Sequence, residues 1–346
     1  MFQTPGQVDA EFARIVDELT RRGFLAGGLG SAAMLTLAAC GSSTKQSDSG
    51  SSSGRFRYTD ARGKTIDLAA IPNRIVMSEQ AAAALIPYGI RPVGFWGSST
   101  PATSPVLKGL DVSGIKSLGV TYGQVNIEAL AALEPDLVIT GWYAGDAFGG
   151  LGAESANISQ KVAAVAPILA VSAQKPASTS LEDWRDLADK LGASVDTGTI
   201  ATQRRTYQQA VADLKQAAAG RPHTTVYAIS PENQFYVAIP KYFPELIDYK
   251  NWGVDILTSP APQTATSAQF GELSYENVTR CKSDILLYDA RSFAIPLAKA
   301  EQQYPTLKLL PAIAHNHIAT WLTDSTYNYA TYTPQIQALT TAIKKL

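Results

Sequence analysis

Cysteine, methionine and histidine are all rare in this 346-residue chain, with two, three and three copies respectively. So few thiols and imidazoles leave little material for a disulfide framework or a histidine-rich metal centre. Charge is scarce as well. Asp, Glu, Lys and Arg make up 17 % of the residues, and 29 basic side chains nearly cancel 30 acidic ones, so neither a nucleic-acid footprint nor a polyacidic tail is expected. Beyond the N-terminus no apolar run reaches the roughly 18 residues of a membrane-spanning helix. A Gly-x-Ser-x-Gly elbow, a phosphate loop, a dinucleotide fingerprint and a zinc motif are all missing, and the three histidines are poorly placed for a triad, so the chain does not read as an enzyme.

What is present begins with an address. "TRRGFLAGGLGSAAMLTLAAC" opens on Arg21 and Arg22, continues through a short Gly/Ala-rich apolar stretch, and ends on Cys40. It is too short and too weakly apolar for a stable membrane helix. It resembles a twin-arginine export signal ending in a bacterial lipobox. That likeness implies removal of residues 1–39, lipidation of Cys40, and a protein held on the outer face of the cytoplasmic membrane. Residues 40–54 are Gly/Ser-rich and read as a flexible tether with a reach of roughly 20 Å. With Cys40 acylated, Cys281 has no partner and is expected to be a buried structural thiol.

At 45 % hydrophobic residues the body is long enough for two cores. Strand and helix patterns alternate over residues 55–175, which predicts a parallel sheet covered by helices. Residues 176–220 carry helical periodicity with few strand signals. Alternation then resumes over 221–346. One unit is written twice: "VNIEALAALEPDLVITG" (125–141) lies in register with "LSYENVTRCKSDILLYD" (273–289), matching Glu128 to Glu276 and Asp136 to Asp284. Asn126 is the expected N-cap of the first copy and Pro135 its stop.

These segments, with "NRIVMSEQAAAALIPYGIRPVG" and "ISQKVAAVAPILAV", resemble the ABC-importer solute-binding proteins that serve ferric siderophores, haem and cobalamin. The resemblance covers residues from about 64 to the end. It implies the class III periplasmic-binding-protein fold: α/β, two Rossmann-like lobes joined by a single long helix. It also implies that Glu128 and Glu276, one per lobe, dock on the permease subunits of the transporter. A carboxylate in a helix's first turn is favoured by the macrodipole without any partner.

In such a protein the ligand lies between the lobes, touched by loops that follow the strands. The loops expected there are rich in aromatics, Ser, Thr and Gly, and poor in basic groups. Trp96, Tyr122, Trp142, Tyr143, Tyr236, Arg291 and Tyr327 are the candidate ligand contacts, with Phe235, Tyr242, Phe293 and Tyr329 also on those loops and Lys241 a marginal cation. A tris-catecholate iron complex carries about three negative charges and calls for several basic groups. One arginine among aromatics suits a ferric hydroxamate better: aromatic faces cover the chelator, and Arg291 and tyrosine hydroxyls donate to iron-bound oxygens. Related hydroxamate binders carry an arginine near the position of Tyr122, so the sequence departs from them there. Glu79 is read equally as a ligand contact or as an N-cap or hinge residue. Trp184 and Trp252 are read as helix-packing residues.

His315 and His317 fall on one face of an expected strand, but no third ligand accompanies them, so no metal site and no resident cofactor is expected. Iron is expected to arrive already chelated. The expected partners are an iron chelate, the permease subunits, and the membrane through the lipid anchor; the chain is expected to be monomeric and to bind no nucleic acid. The alternatives are a haem or cobalamin binder of the same fold, or a lipoprotein adaptor that holds a partner instead of a solute.

Overall fold

The structure, a computed structural model, describes residues 54–143, 147–151, 156–263, 268–291, 294–323 and 326–346. The expected signal peptide, Cys40, the tether up to residue 53 and Phe293 lie outside them. A hairpin of β1 (Phe56–Thr59) and β2 (Thr65–Leu68) precedes the first lobe. That lobe contains β3 (Ile75–Ser78), β4 (Gly94–Trp96), β5 (Lys116–Gly119), β6 (Leu137–Tyr143), β7 (Ala147–Phe148) and β8 (Ile168–Ser172). Strands β5, β4, β3, β6 and β8 run parallel in that spatial order, and β7 turns back against the end of β6. The helices of this lobe are α1 (Glu79–Leu85), α2 (Ile127–Ala132) and α3 (Ala156–Val165).

Two helices make up the connector, α4 (Ala177–Lys190) and α5 (Gly198–Gly220). The latter, at 23 residues, is about 35 Å long and is the single long helix of the fold. In the second lobe β9 (Thr225–Pro231) pairs antiparallel with β10 (Phe235–Ala238) and parallel with β11 (Asp255–Ile256) and β13 (Ile285–Asp289). The sheet is completed by β12 (Phe270–Leu273) beside β10 and β14 (Ile318–Trp321) beside β13. Its helices are α6 (Pro244–Asn251), α7 (Leu297–Gln303), α8 (Pro311–Ala314) and α9 (Tyr329–Lys345). No helix among the described residues is long and apolar enough to cross a membrane.

Strand alternation divides each lobe's interior into two cores. Ile75, Met77, Leu137 and Ile139 enter one core of the first lobe, and Val76 and Val138 enter the other. Val226, Ala228, Ile285 and Leu287 face one side of the second sheet, and Tyr227, Ile229, Leu286 and Tyr288 the opposite side. Strands buried on both faces explain the unbroken apolar runs.

Helix α4 belongs to both lobes. Ala177 and Leu181 pack in the second lobe's core, whereas Trp184, Leu187 and Ala188 pack in the first lobe's. Asn328, at the start of α9, reaches across as well: its Nδ2 donates to Ala83 O at 3.0 Å. With buried side chains of α4 in both cores, the two lobes are packed together along this helix instead of meeting at an unpacked linker.

The duplicated unit keeps its topology but not its helix type. Asn126 caps α2, its Oδ1 accepting from Ala129 N at 2.9 Å, while the matching Tyr275–Cys281 segment is a 3-10 helix. Cys281 is fully buried there, and burial pushes its thiol pKa up to about 12, as suits an inert packing residue.

Candidate ligand-binding cleft

A cavity of about 370 Å³ opens where the C-terminal ends of the parallel strands of both sheets face each other. The first lobe supplies Gln80, Tyr122 and Tyr143; helix α4 supplies Ala177, Ser180 and Trp184; the second lobe supplies Tyr242, Phe243, Gln269, Arg291, Thr326 and Tyr327. The wall is largely aromatic and hydroxylic, with one formally charged group among the described residues, Arg291.

Each contributor is placed by local chemistry. Ser78 N-caps α1, which turns Gln80 toward the cavity, where its Nε2 donates to Tyr143 Oη at 3.1 Å. Tyr122 sits on the turn after β5, which doubles back so tightly that a Cβ on Gly119 would lie 2.1 Å from Gln124 O. Tyr122 is 58 % exposed, at the mouth of the cavity. The Phe243–Pro244 step closes β10's following loop and starts α6, so Tyr242 and Phe243 arrive at the wall together.

Arg291 is held firmly. Its Nε donates to both carboxylate oxygens of Asp289 at 3.0 Å, and its Nη2 donates to Oδ2 at 2.7 Å. Beneath it lies Trp321, with the ring centroid 5.9 Å from the guanidinium carbon. Trp321 in turn donates its indole N–H to the buried Glu245 carboxylate at 2.7 Å. Behind the cavity, Asp248 on α6 accepts from Ser178 N at 2.7 Å and Ser178 Oγ at 2.5 Å, serving as a tertiary cap for α4. Burial raises the Asp248 pKa to about 6 despite those donors and Tyr332.

Of the candidate contacts, Tyr122, Tyr143, Arg291 and Tyr327 are brought together in the cavity wall. Trp142 is not, for a geometric reason. Successive residues of a strand point to opposite faces, so Trp142 and Tyr143 cannot both enter the cavity. Trp142 packs edge-on against Phe148 at 4.9 Å, under the Arg62 guanidinium. Trp96 is 2 % exposed in the first lobe's core, beneath Gly150, where a Cβ would come within 2.7 Å of its Nε1. Tyr236 packs edge-on against Phe270 at 6.0 Å and does not line the cavity.

Other side chains change role or join. Glu79 accepts from Ser98 N, Ser99 Oγ and Ser104 Oγ, so it fastens the 97–104 loop and takes no part in the wall. Trp184 is packed as expected, 3 % exposed, and also forms part of the wall. Gln80, Ser180, Gln269 and Thr326 were not singled out by sequence; as isolated polar residues they carry no local signal. Lys241 lies over the Tyr242 ring, 4.8 Å from its centroid, outside the wall. His315 ends α8 and His317 precedes β14, with rings 5.8 Å apart. No group of three or more His, Cys, Asp or Glu able to hold a metal occurs among the described residues. Glu128 and Glu276 are both exposed in the first turns of their matched helices, and the Ser274 hydroxyl lowers the Glu276 pKa.

Comparison with known proteins agrees with this architecture. The model of a family described as periplasmic binding protein matches residues 91–324. A probable siderophore-binding lipoprotein of Bacillus subtilis, YfiY, is 37 % identical over 110 residues, covering 31 % of this chain and 33 % of that protein. The match thus spans about a third of that relative's length. Among solved structures, DesE, a ferric-siderophore receptor protein from Streptomyces coelicolor, superposes with a TM-score of 0.74 at 29 % identity, covering 84 % of this chain and 98 % of DesE. The petrobactin-binding protein YclQ from Bacillus subtilis shares the fold, with a TM-score of 0.62 at 15 % identity over 84 % of this chain and 99 % of its own.

Proposed function

This chain belongs to the periplasmic binding protein family, and on that premise we propose that it captures a ferric siderophore between its lobes and delivers it to an ABC importer. The observation that carries the reading is the cavity itself. Both lobes and the connector build its wall, so a ligand there contacts every part that must move together on closure. DesE and YfiY, whose names record siderophore binding, are consistent with it.

A ferric hydroxamate is the favoured ligand type. Tyr122, Tyr143, Tyr242, Phe243 and Tyr327 offer faces and hydroxyls to an organic chelator, and a lone arginine is too little to balance a trianionic complex. In this reading the protein is exported by the twin-arginine route and anchored through Cys40 on the outer face of the cytoplasmic membrane. It acts as a monomer that binds without catalysis and needs no resident cofactor. Glu128 and Glu276 seat the loaded protein on the two permease subunits.

Titration of the full chain with ferrioxamine, a ferric catecholate, haem and cobalamin, followed by tryptophan fluorescence, tests the assignment. Trp184 in the wall supplies a reporter. Submicromolar quenching by ferrioxamine is expected. Quenching by haem or cobalamin alone would replace the ligand class, and no response to any of the four would overturn solute capture.

A further inference from the structure

The Arg291 guanidinium is the only formal charge in the cavity wall among the described residues, and it is not presented alone. Besides the three side-chain hydrogen bonds to Asp289, its backbone N–H donates to Asp289 Oδ1 at 2.9 Å. The Asp289 side chain is 0 % exposed and that of Arg291 17 %, so the two charges are held in contact where water screens little. Glu232 follows β9, the strand beside β13; burial raises its pKa, an effect partly offset by the Ser230 hydroxyl, which donates to its Oε1 at 3.1 Å. Among the described residues no other cation lines the wall.

We propose that Asp289 is a specificity-determining residue of the cleft: it cancels the charge of Arg291 while keeping the planar guanidinium at the wall, and so biases the site toward uncharged ferric chelates and against trianionic ones. This deepens the siderophore reading and rests on it. The physical basis is that a bidentate carboxylate fixes both the orientation and the electrostatics of an arginine. A trianion entering the cavity meets a dipole instead of a net positive charge. An uncharged chelate has nothing to lose from that cancellation and still meets a donor in a set orientation. Asp289 thus acts through Arg291, and its effect belongs to the ratio of two affinities and not to either alone.

The test compares wild type with Asp289→Asn, which keeps the size of the side chain and an acceptor for the Arg291 backbone N–H. The probes are ferrioxamine E, an uncharged ferric tris-hydroxamate, and ferric enterobactin, a trianionic tris-catecholate. The expected result is a shift of the affinity ratio toward the catecholate by roughly ten-fold or more in the variant. A merely structural role would weaken both ligands in parallel, and an unchanged ratio in a folded variant overturns the proposal. If Asp289→Asn does not fold, the wild type still decides. Its affinity for ferric enterobactin should vary by less than about five-fold between about 20 and about 300 mM NaCl, and a steeper gain at low salt would mean that Arg291 acts as an unshielded cation. A wild type that prefers the catecholate overturns this inference and leaves siderophore capture standing. One that binds no ferric chelate overturns both.

Discussion

Asp136 and Asp284 clamp the first strand of their respective sheets by the same arrangement. Asp136 Oδ2 accepts from the backbone N–H groups of Asn73 and Arg74, both at 2.9 Å, and its own N–H returns to Arg74 O at 2.8 Å. Asp284 Oδ2 accepts from Thr225 N at 2.8 Å and Thr225 Oγ1 at 2.7 Å, and its N–H returns to Thr225 O at 3.1 Å. The repeated acid therefore fixes the entry of β3 and of β9 beside the strand that it opens. Replacing either by Ala should cost about 1–2 kcal/mol in urea unfolding, because backbone donors lose an ionised acceptor at an exposed site. The sites lie in separate lobes, so the double variant should be additive.

The other repeated acid behaves differently. Glu128 and Glu276 are exposed in the first turns of their helices. Glu128→Ala and Glu276→Ala should each change stability by less than about 0.5 kcal/mol, leave chelate affinity unchanged, and abolish importer-dependent uptake when combined. A loss of affinity in step with uptake would sink the docking assignment.

The division of the aromatic residues between wall and core has its own signature. Tyr143→Ala and Tyr327→Ala should weaken chelate binding by about ten-fold, since each removes a face and a hydroxyl from the cavity. Trp96→Phe should cost about 1–3 kcal/mol of stability and Tyr236→Phe almost nothing, both at unchanged affinity. Calorimetric titration beside denaturant unfolding separates the two groups, and an affinity loss in Trp96→Phe would overturn the division.

Asp248 makes stability depend on pH in an unusual direction. Its ordinary pKa of 3.8 is raised to about 6 in the folded chain, chiefly by burial. Between those values the native chain holds a proton that the unfolded chain releases, so this group's contribution falls as pH rises through the window. The loss amounts to on the order of 2–3 kcal/mol when complete. Unfolding free energies measured from about pH 4 to 7 should therefore decline more steeply for wild type than for Asp248→Asn. Parallel pH profiles would refute the assignment.

Much of this protein was legible from sequence because the relevant physics is local. Apolar runs of strand length marked the parallel strands, Asn126 marked the start of α2, which ends at Ala132 ahead of the expected stop at Pro135, and the helical period of 176–220 matches α4 and α5. The duplicated unit announced two lobes, and with them where a cleft must lie. Composition also set the character of its wall: aromatic, hydroxylic and poor in cations. Which side chains form that wall was decided only in three dimensions. Trp142 and Tyr143 are neighbours in sequence but occupy opposite faces of β6, and Trp96 ends its strand under the backbone of Gly150. Gln80 and Ser180 reach the wall from helices α1 and α4, Gln269 and Thr326 from two loops of the second lobe, and no periodicity links them. The partnership of Arg291 with Asp289 is short in sequence, yet its meaning depends on burial, because the same pair at an exposed turn would be screened by water. Patterns along the chain determine elements and lobes; strand facing, burial and the meeting of distant loops determine the site.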